Sequence, residues 1–202
     1  MKIFKKQSNK FFTTKLLNKM SGFTIIETLV AVFILSLAIT SFMGLTSRSL
    51  MASRYARNEI IANYLAQEAA DYIRNQRDEL AFMGGGDWST FINYFNQNST
   101  KTCFSAQGCY LKIYDISADK VITCPEGGCP LLDYRDEGSS FYYYGESNNS
   151  VDSIFKRTIT MEDGSGDIGS KEIYVSVRID WKNGGADKSK VLNFSLSDWY
   201  NF

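Results

Sequence analysis

The chain alternates between long stretches of one polarity pattern and abrupt changes to another. Residues 23–45 are an apolar run, Phe23-Thr-Ile-Ile-Glu27-Thr-Leu-Val-Ala-Val-Phe-Ile-Leu-Ser-Leu-Ala-Ile-Thr-Ser-Phe-Met-Gly-Leu45, with Glu27 as its one charge. That run reaches the roughly 20 residues an α-helix needs to cross a bilayer. The helical pattern continues beyond it. Ser47 to Leu80 contains neither proline nor glycine and is rich in Ala, Glu, Gln, Arg and Leu, all good helix formers. Tyr55, Ala62, Leu65, Ala69, Ile73 and Leu80 form an apolar stripe, and Arg57, Glu68, Asp71, Arg74 and Asp78 lie on the opposite face. The periodicity predicts one helix from about Thr24 to Ala81, roughly 85 Å long at ~1.5 Å per residue. Its inner half, 23–47, is transmembrane in character and its outer half, 48–83, is amphipathic.

Met83-Gly-Gly-Gly-Asp87 is a stop signal for that helix, and 84–202 read as a β-rich head. Trp88 to Asn98 is expected to be a short second helix. Further on the period becomes two: Ile173, Val175, Val177, Ile179 and Trp181 fall on one face of a strand over Lys171–Trp181, with Tyr174, Ser176, Arg178 and Asp180 on the other. Lys182–Lys188 is the expected hairpin loop, followed by a strand over about Ser189–Leu196. Phe155–Met161 supplies a third antiparallel strand, and Phe141–Tyr144 reads as a strand packed on one face. The aromatic tail Ser197–Phe202 is expected to pack against the head. An amphipathic helix that covers an antiparallel sheet satisfies both elements, so the fold class is α+β.

Charge changes the picture at the N-terminus. The formal net charge is zero, with 22 basic and 22 acidic residues, but Lys2, Lys5, Lys6, Lys10, Lys15 and Lys19 lie in 1–22 with no acid. Without that leader, 16 basic residues face 22 acidic ones, net −6, which gives no electrostatic basis for binding nucleic acid. A secretory signal has an apolar stretch before its cleavage site; here the apolar stretch follows the lysines and Gly22. By the positive-inside rule, the lysines place the N-terminus in the cytoplasm and the head outside, in a single-pass protein of the cytoplasmic membrane. An acid inside an apolar span is costly and marks a functional candidate, which singles out Glu27.

A basic leader, Gly22, Phe23, Glu27 four residues later and an uninterrupted apolar helix together resemble the processing site of type IV prepilins and type II secretion pseudopilins. That resemblance implies cleavage of the Gly22–Phe23 bond by a prepilin peptidase, N-methylation of Phe23, and assembly through Glu27. The partners it implies are other pilin subunits, the inner-membrane assembly machinery and the membrane, and the product is an extracellular or periplasmic filament. Ile61–Asp78 looks like the outer helix of minor pilins, and Gly44 stands where many filament-forming pilins have a helix breaker. The reading is a structural subunit, of the minor kind, of a type IV pilus-like filament. Its alternatives are a pseudopilin of a type II secretion system and a non-polymerising, membrane-anchored binding protein or adhesin.

The remaining chemistry is sparse. Cys103, Cys109, Cys124 and Cys129 all fall in the head, and an even count outside the cytoplasm reads as disulfides. Short loops favour Cys103–Cys109 and Cys124–Cys129, while the nested connectivities stay open. Zinc fits poorly because five residues separate Cys103 from Cys109. Asp163, Ser165 and Asp167 alternate like calcium ligands, but Ile168 stands where the loop needs glycine and Tyr174 where a bidentate acid would close it; they are a calcium candidate and no more. There is no histidine, no Gly-rich phosphate loop and no assembled nucleophile and base. The chain is therefore expected not to be an enzyme and to need no cofactor.

Overall fold

The computed structural model describes residues 22–82, 87–97, 101–114, 120–135, 141–144, 151–164 and 171–199. The chain divides into two units, residues 1–47 and 48–202. One helix, α1 (Ile25–Phe82), is continuous over 58 residues. It runs through Gly44 without a break, and a side chain at that position would meet nothing within 4 Å. Glycine inside a helix costs about 1 kcal/mol relative to alanine, a loss that a helix of this length absorbs.

In the larger unit, α2 (Trp88–Phe95) follows α1. The carboxylate of Asp87 caps it, accepting hydrogen bonds from the Thr90 amide at 2.9 Å and the Ser89 hydroxyl at 2.6 Å. Those bonds hold the Asp87 carboxyl below the usual carboxylate range. Helix α2 ends at Phe95, three residues before the predicted end, because Asn96 and Gln97 leave it to form β1 (Asn96–Gln97) with β2 (Lys101–Thr102). Phe91, Ile92 and Phe95 are buried. Tyr94 shares a 2.9 Å hydrogen bond with Tyr72 of α1, and burial first, then that bond, pushes the Tyr72 phenol up.

The main sheet is seven-stranded and antiparallel: β3 (Cys109–Leu111), β4 (Val121–Thr123), β5 (Leu131–Arg135), β6 (Phe141–Tyr143), β7 (Val151–Asp163), β8 (Glu172–Asn183) and β9 (Ala186–Ser197). Strand β7 is its axis. One edge pairs with β8 from Phe155↔Trp181 to Asp163↔Ile173, while the other is shared by β3, at Cys109↔Ile159, and β5, at Leu131↔Lys156. Strand β9 continues the meander from β8, with Val177↔Leu192 near its middle. The predicted seven-residue hairpin loop shrinks to two residues. Gly184 and Gly185 have φ of 59° and 86°, the left-handed pair that a tight type I′ turn requires, and Asn183 already pairs with Ala186.

The period-two residues on the inner face, Phe155, Ile159, Met161, Ile173, Val175, Val177, Ile179 and Trp181, are buried in one core with Ala62, Leu65, Ala66, Ala69 and Ile73 of α1. The helix stripe is thus shorter and more alanine-rich than its sequence pattern implies. Tyr55 is more than one-third exposed, and Leu80 only packs on the margin. Alanine on a helix lets a sheet approach closely, and a larger residue there overpacks at a cost of about 1–3 kcal/mol. Strand β9 runs in the same direction as α1 beside it. Lys188 stands 5.6 Å from the Tyr55 ring, Lys190 is 3.8 Å from Glu59, and the Arg74 guanidinium lies 4.6 Å over the Phe194 ring. Beyond β9, Trp199 packs edge-on to Phe82 at 5.7 Å and donates to Asp78 at 3.3 Å, and Tyr200–Phe202 lie outside the described residues.

Candidate functional site

Two places in the chain concentrate chemistry, one at the start of α1 and one inside the head. At the start of α1, Gly22 and Phe23 precede the helix and both are exposed. A side chain at residue 22 would meet nothing within 4 Å, and its φ is outside the left-handed range. The fold therefore has no need of a glycine there. Thr24 caps the helix, since the Glu27 amide donates to the Thr24 carbonyl at 3.1 Å and lies 3.4 Å from its hydroxyl. Thr24-Ile-Ile-Glu27 is the Ser/Thr-x-x-Glu pattern of a capping box, and a carboxylate in the first turn is favoured by the helix dipole. The cap uses the Glu27 amide and leaves its carboxylate without a partner among the described residues; Thr24, three residues upstream, is the sequence signal for it.

The rest of the segment is apolar and bare. All residues from Gly22 to Arg57 are exposed, among them Phe33, Leu35, Phe42 and Leu45. Its hydroxyls turn inward on the helix: Thr28 donates to the Ile25 carbonyl, Ser36 to Phe33, Thr40 to Ser36, Ser41 to Leu37 and Thr46 to Phe42, at 2.7–3.0 Å. Backbone carbonyls that accept these protons remove the cost of placing a hydroxyl in hydrocarbon. The helix is long and apolar enough to cross a membrane.

In the head, Arg157 of β7 interrupts the apolar inner face and is 1% exposed. Its Nη1 meets Glu68 Oε2 at 2.7 Å and donates to the Leu65 carbonyl at 3.2 Å, and its Nη2 donates to the Leu111 carbonyl at 3.4 Å. Tyr144 clamps the backbone of Arg157, its hydroxyl accepting from the amide and donating to the carbonyl, both at 3.1 Å. Tyr114 donates to the other Glu68 oxygen at 2.7 Å. Glu68 therefore does not belong to the solvated charge face predicted for α1. A helix face is assigned from its own periodicity, and a partner 89 residues away leaves no trace in that periodicity.

The network has a pH signature. The hydrogen bond to Glu68, then burial, pushes the Tyr114 phenol up to about 12, and burial pushes Tyr144 up to about 12. Phenols in the unfolded chain ionise near 10. The folded state therefore holds these protons at a pH where the unfolded state has lost them, and stability present below about pH 10 is lost as pH rises toward about 12. Melting temperatures measured from pH 8 to 12 are expected to fall on that limb, and Tyr144→Phe should flatten the fall.

The cysteines form two disulfides, Cys103–Cys109 and Cys124–Cys129. Both are pinned to the sheet. Met161 donates its amide to the Cys103 carbonyl at 2.8 Å, and Cys124 donates to the Gly108 carbonyl at 3.0 Å. Gly108, at φ 69°, lies so close to β7 that a Cβ would stand 2.6 Å from the Ile159 carbonyl oxygen. Among the described residues no group of three or more His, Cys, Asp or Glu is placed to hold a metal ion. Of the calcium candidates, Asp163 ends β7, and Ser165 and Asp167 lie outside the described residues.

Residues 17–43 match the family model of the prokaryotic N-terminal methylation motif. The chain carries the type IV pilin signature. The methylation motif spans Gly22, Phe23, Glu27 and most of the bare apolar helix, and supports a type IV pilin-like or pseudopilin precursor. It implies processing by a prepilin peptidase and assembly with pilin subunits. No curated protein and no solved structure matches the chain.

Proposed function

We propose that this chain is a minor structural subunit of a type IV pilus-like filament. Prepilin peptidase cuts the Gly22–Phe23 bond and methylates Phe23. The subunit waits in the cytoplasmic membrane with its leader side in the cytoplasm, then enters a filament through its N-terminal helix. The observation that carries this reading is the coincidence of the methylation motif at 17–43 with a helix whose apolar side chains are bare from Phe23 to Met51. Helices of this kind must be covered by lipid or by one another. The domain limits that follow are 1–22 for the leader, 23–47 and 48–83 for the helix halves, and 84–202 for the head.

Glu27 has a defined part in this reading. Cleavage creates a cation, the amino group of Phe23, which a neighbouring subunit brings against the Glu27 carboxylate. Pairing them in a dry helix bundle fixes the axial register, and leaving one charge unpaired there costs about 3 to 5 kcal/mol. Glu27→Gln isolates that charge, because the helix start is capped through the residue-27 amide and not its side chain, so the cap survives. The variant is expected to be cleaved and inserted normally, yet to enter filaments at least about tenfold less well. Intact mass of the membrane-extracted protein reads leader loss and methylation together, and fractionation of sheared filaments reads incorporation. Normal incorporation of a cleaved Glu27→Gln subunit would sink the filament contact and favour a monomeric anchor.

A further inference from the structure

Five described acids of the outer helix and head are paired with basic side chains: Asp71 with Arg74, Asp78 with Arg77, Glu68 with Arg157, Asp180 with Arg178 and Glu59 with Lys190. The first three arginines of the outer helix are different. Arg48, Arg54 and Arg57 are exposed, and none has an ion pair or hydrogen bond among the described residues. No acid occurs between Glu27 and Glu59, in a chain whose part beyond residue 22 carries an excess of acid. Between these arginines Leu50 and Met51 are more than 60% exposed. Basic side chains interleaved with bare apolar ones make a surface suited to the boundary between hydrocarbon and headgroups. On the proposed topology the arginines also lie on the flank opposite the six leader lysines, where the positive-inside rule disfavours them. Their presence needs a local reason.

A cleft supplies one. Arg54 and Arg57, one helical turn apart, stand with Asn58 on one wall of a cleft of about 360 Å³, and Tyr142 of β6, Asp152 of β7 and Asn183 of β8 line the others. Neither asparagine side chain has a hydrogen-bond partner among the described residues. Two guanidinium forks match the oxygens of a phosphate. With Asp152 present the cleft carries a net charge of +1, which suits a singly charged phosphodiester better than a phosphate dianion. The free amides fit the hydroxyls of a polar headgroup.

We infer that residues 48–57, with the cleft at Arg54 and Arg57, bind the phosphodiester headgroup of an anionic phospholipid. This rests on the membrane-anchored part of the reading above and not on filament assembly. The contact would hold the stored subunit at a defined depth and favour anionic regions of the bilayer.

Native mass spectrometry of the full chain in mild detergent, titrated separately with phosphatidylglycerol and phosphatidylcholine, tests it. The parent is expected to retain phosphatidylglycerol about tenfold or more over phosphatidylcholine, and R54Q/R57Q to lose that preference while melting at the parent temperature. R48Q alone should reduce it less. Equal retention of the two lipids by the parent, or a preference that survives R54Q/R57Q, would overturn the inference. If inorganic phosphate at millimolar concentration displaces the lipid completely, the site is a phosphate site and the lipid assignment falls. None of these readouts requires cleavage or assembly, so failure here leaves the filament reading standing, and failure of Glu27→Gln to impair assembly leaves lipid binding standing.

Discussion

Glu68→Ala is expected to lower the melting temperature of the head by about 10 °C. The reason is the asymmetry of a buried pair. Arg157 is almost wholly enclosed, and Glu68, whose side chain is 26% exposed, is the one anion it touches among the described residues. Removing the carboxylate leaves the guanidinium in the core with carbonyl partners at 3.2 and 3.4 Å and no countercharge. Breaking such a pair costs about 3 to 5 kcal/mol, whereas replacing both members by apolar groups of similar volume is often neutral. Glu68→Leu with Arg157→Met is therefore expected to recover most of the loss, and Arg157→Met alone should cost less than Glu68→Ala. Thermal melts followed by near-ultraviolet dichroism of the aromatic core measure all four proteins. A Glu68→Ala protein that melts within about 2 °C of the parent would show that water reaches Arg157 and that the pair does not tie the helix to the sheet.

Gly22→Val is expected to leave the leader on nearly every molecule. Nothing in the fold asks for glycine at this position: no atom lies within 4 Å of where its Cβ would be, and its backbone is not left-handed. The requirement must come from outside the fold. A peptidase that cuts after this residue has to bring the backbone against its catalytic groups, and a β-branched side chain crowds that approach and stiffens the chain. Because the folded protein does not feel the substitution, the melting temperature of the head serves as the control. Intact mass should show the 22 leader residues retained and Phe23 unmethylated. A Gly22→Val protein that matures at the parent rate would remove the processing assignment altogether.

The elements legible in the sequence were those with a long period. Helix α1 and the β7–β8–β9 meander each repeat their pattern over a dozen residues or more, so hydrophobic spacing found them and the α+β arrangement followed. Strand β6 was read from its aromatic run at Phe141–Tyr144, but β1–β5 are two to five residues long, too short for an alternation to show, and long-range pairing rather than local pattern defines them. Arg157 sits in phase with Phe155, Ile159 and Met161 on the buried face, where a charge argues against the assignment unless its partner is known. That partner lies 89 residues upstream. At the other end of the chain a further local signal was legible: Thr24 stands three residues before Glu27 in a capping pattern, and the Glu27 amide bonds to Thr24.

The order of elements along the chain has a consequence for how the head comes into being. Helix α1 is synthesised first, while the strands that cover its alanine stripe come last. The Leu65–Arg157 contact spans 92 residues and the Asp78–Trp199 contact spans 121. Until β7, β8 and β9 arrive, the stripe faces solvent, and a stripe of Ala62, Ala66, Ala69 and Ala70 exposes far less greasy surface in that interval than leucines would. The two disulfides close over separations of six and five residues, and the late strand that Cys103 and Cys109 bond to is β7, not β9. They can fix the middle of the head while the helix is still waiting. A chain that stops short of β9 would thus carry correct crosslinks and an unfinished core, so oxidation alone is no sign that a subunit is complete.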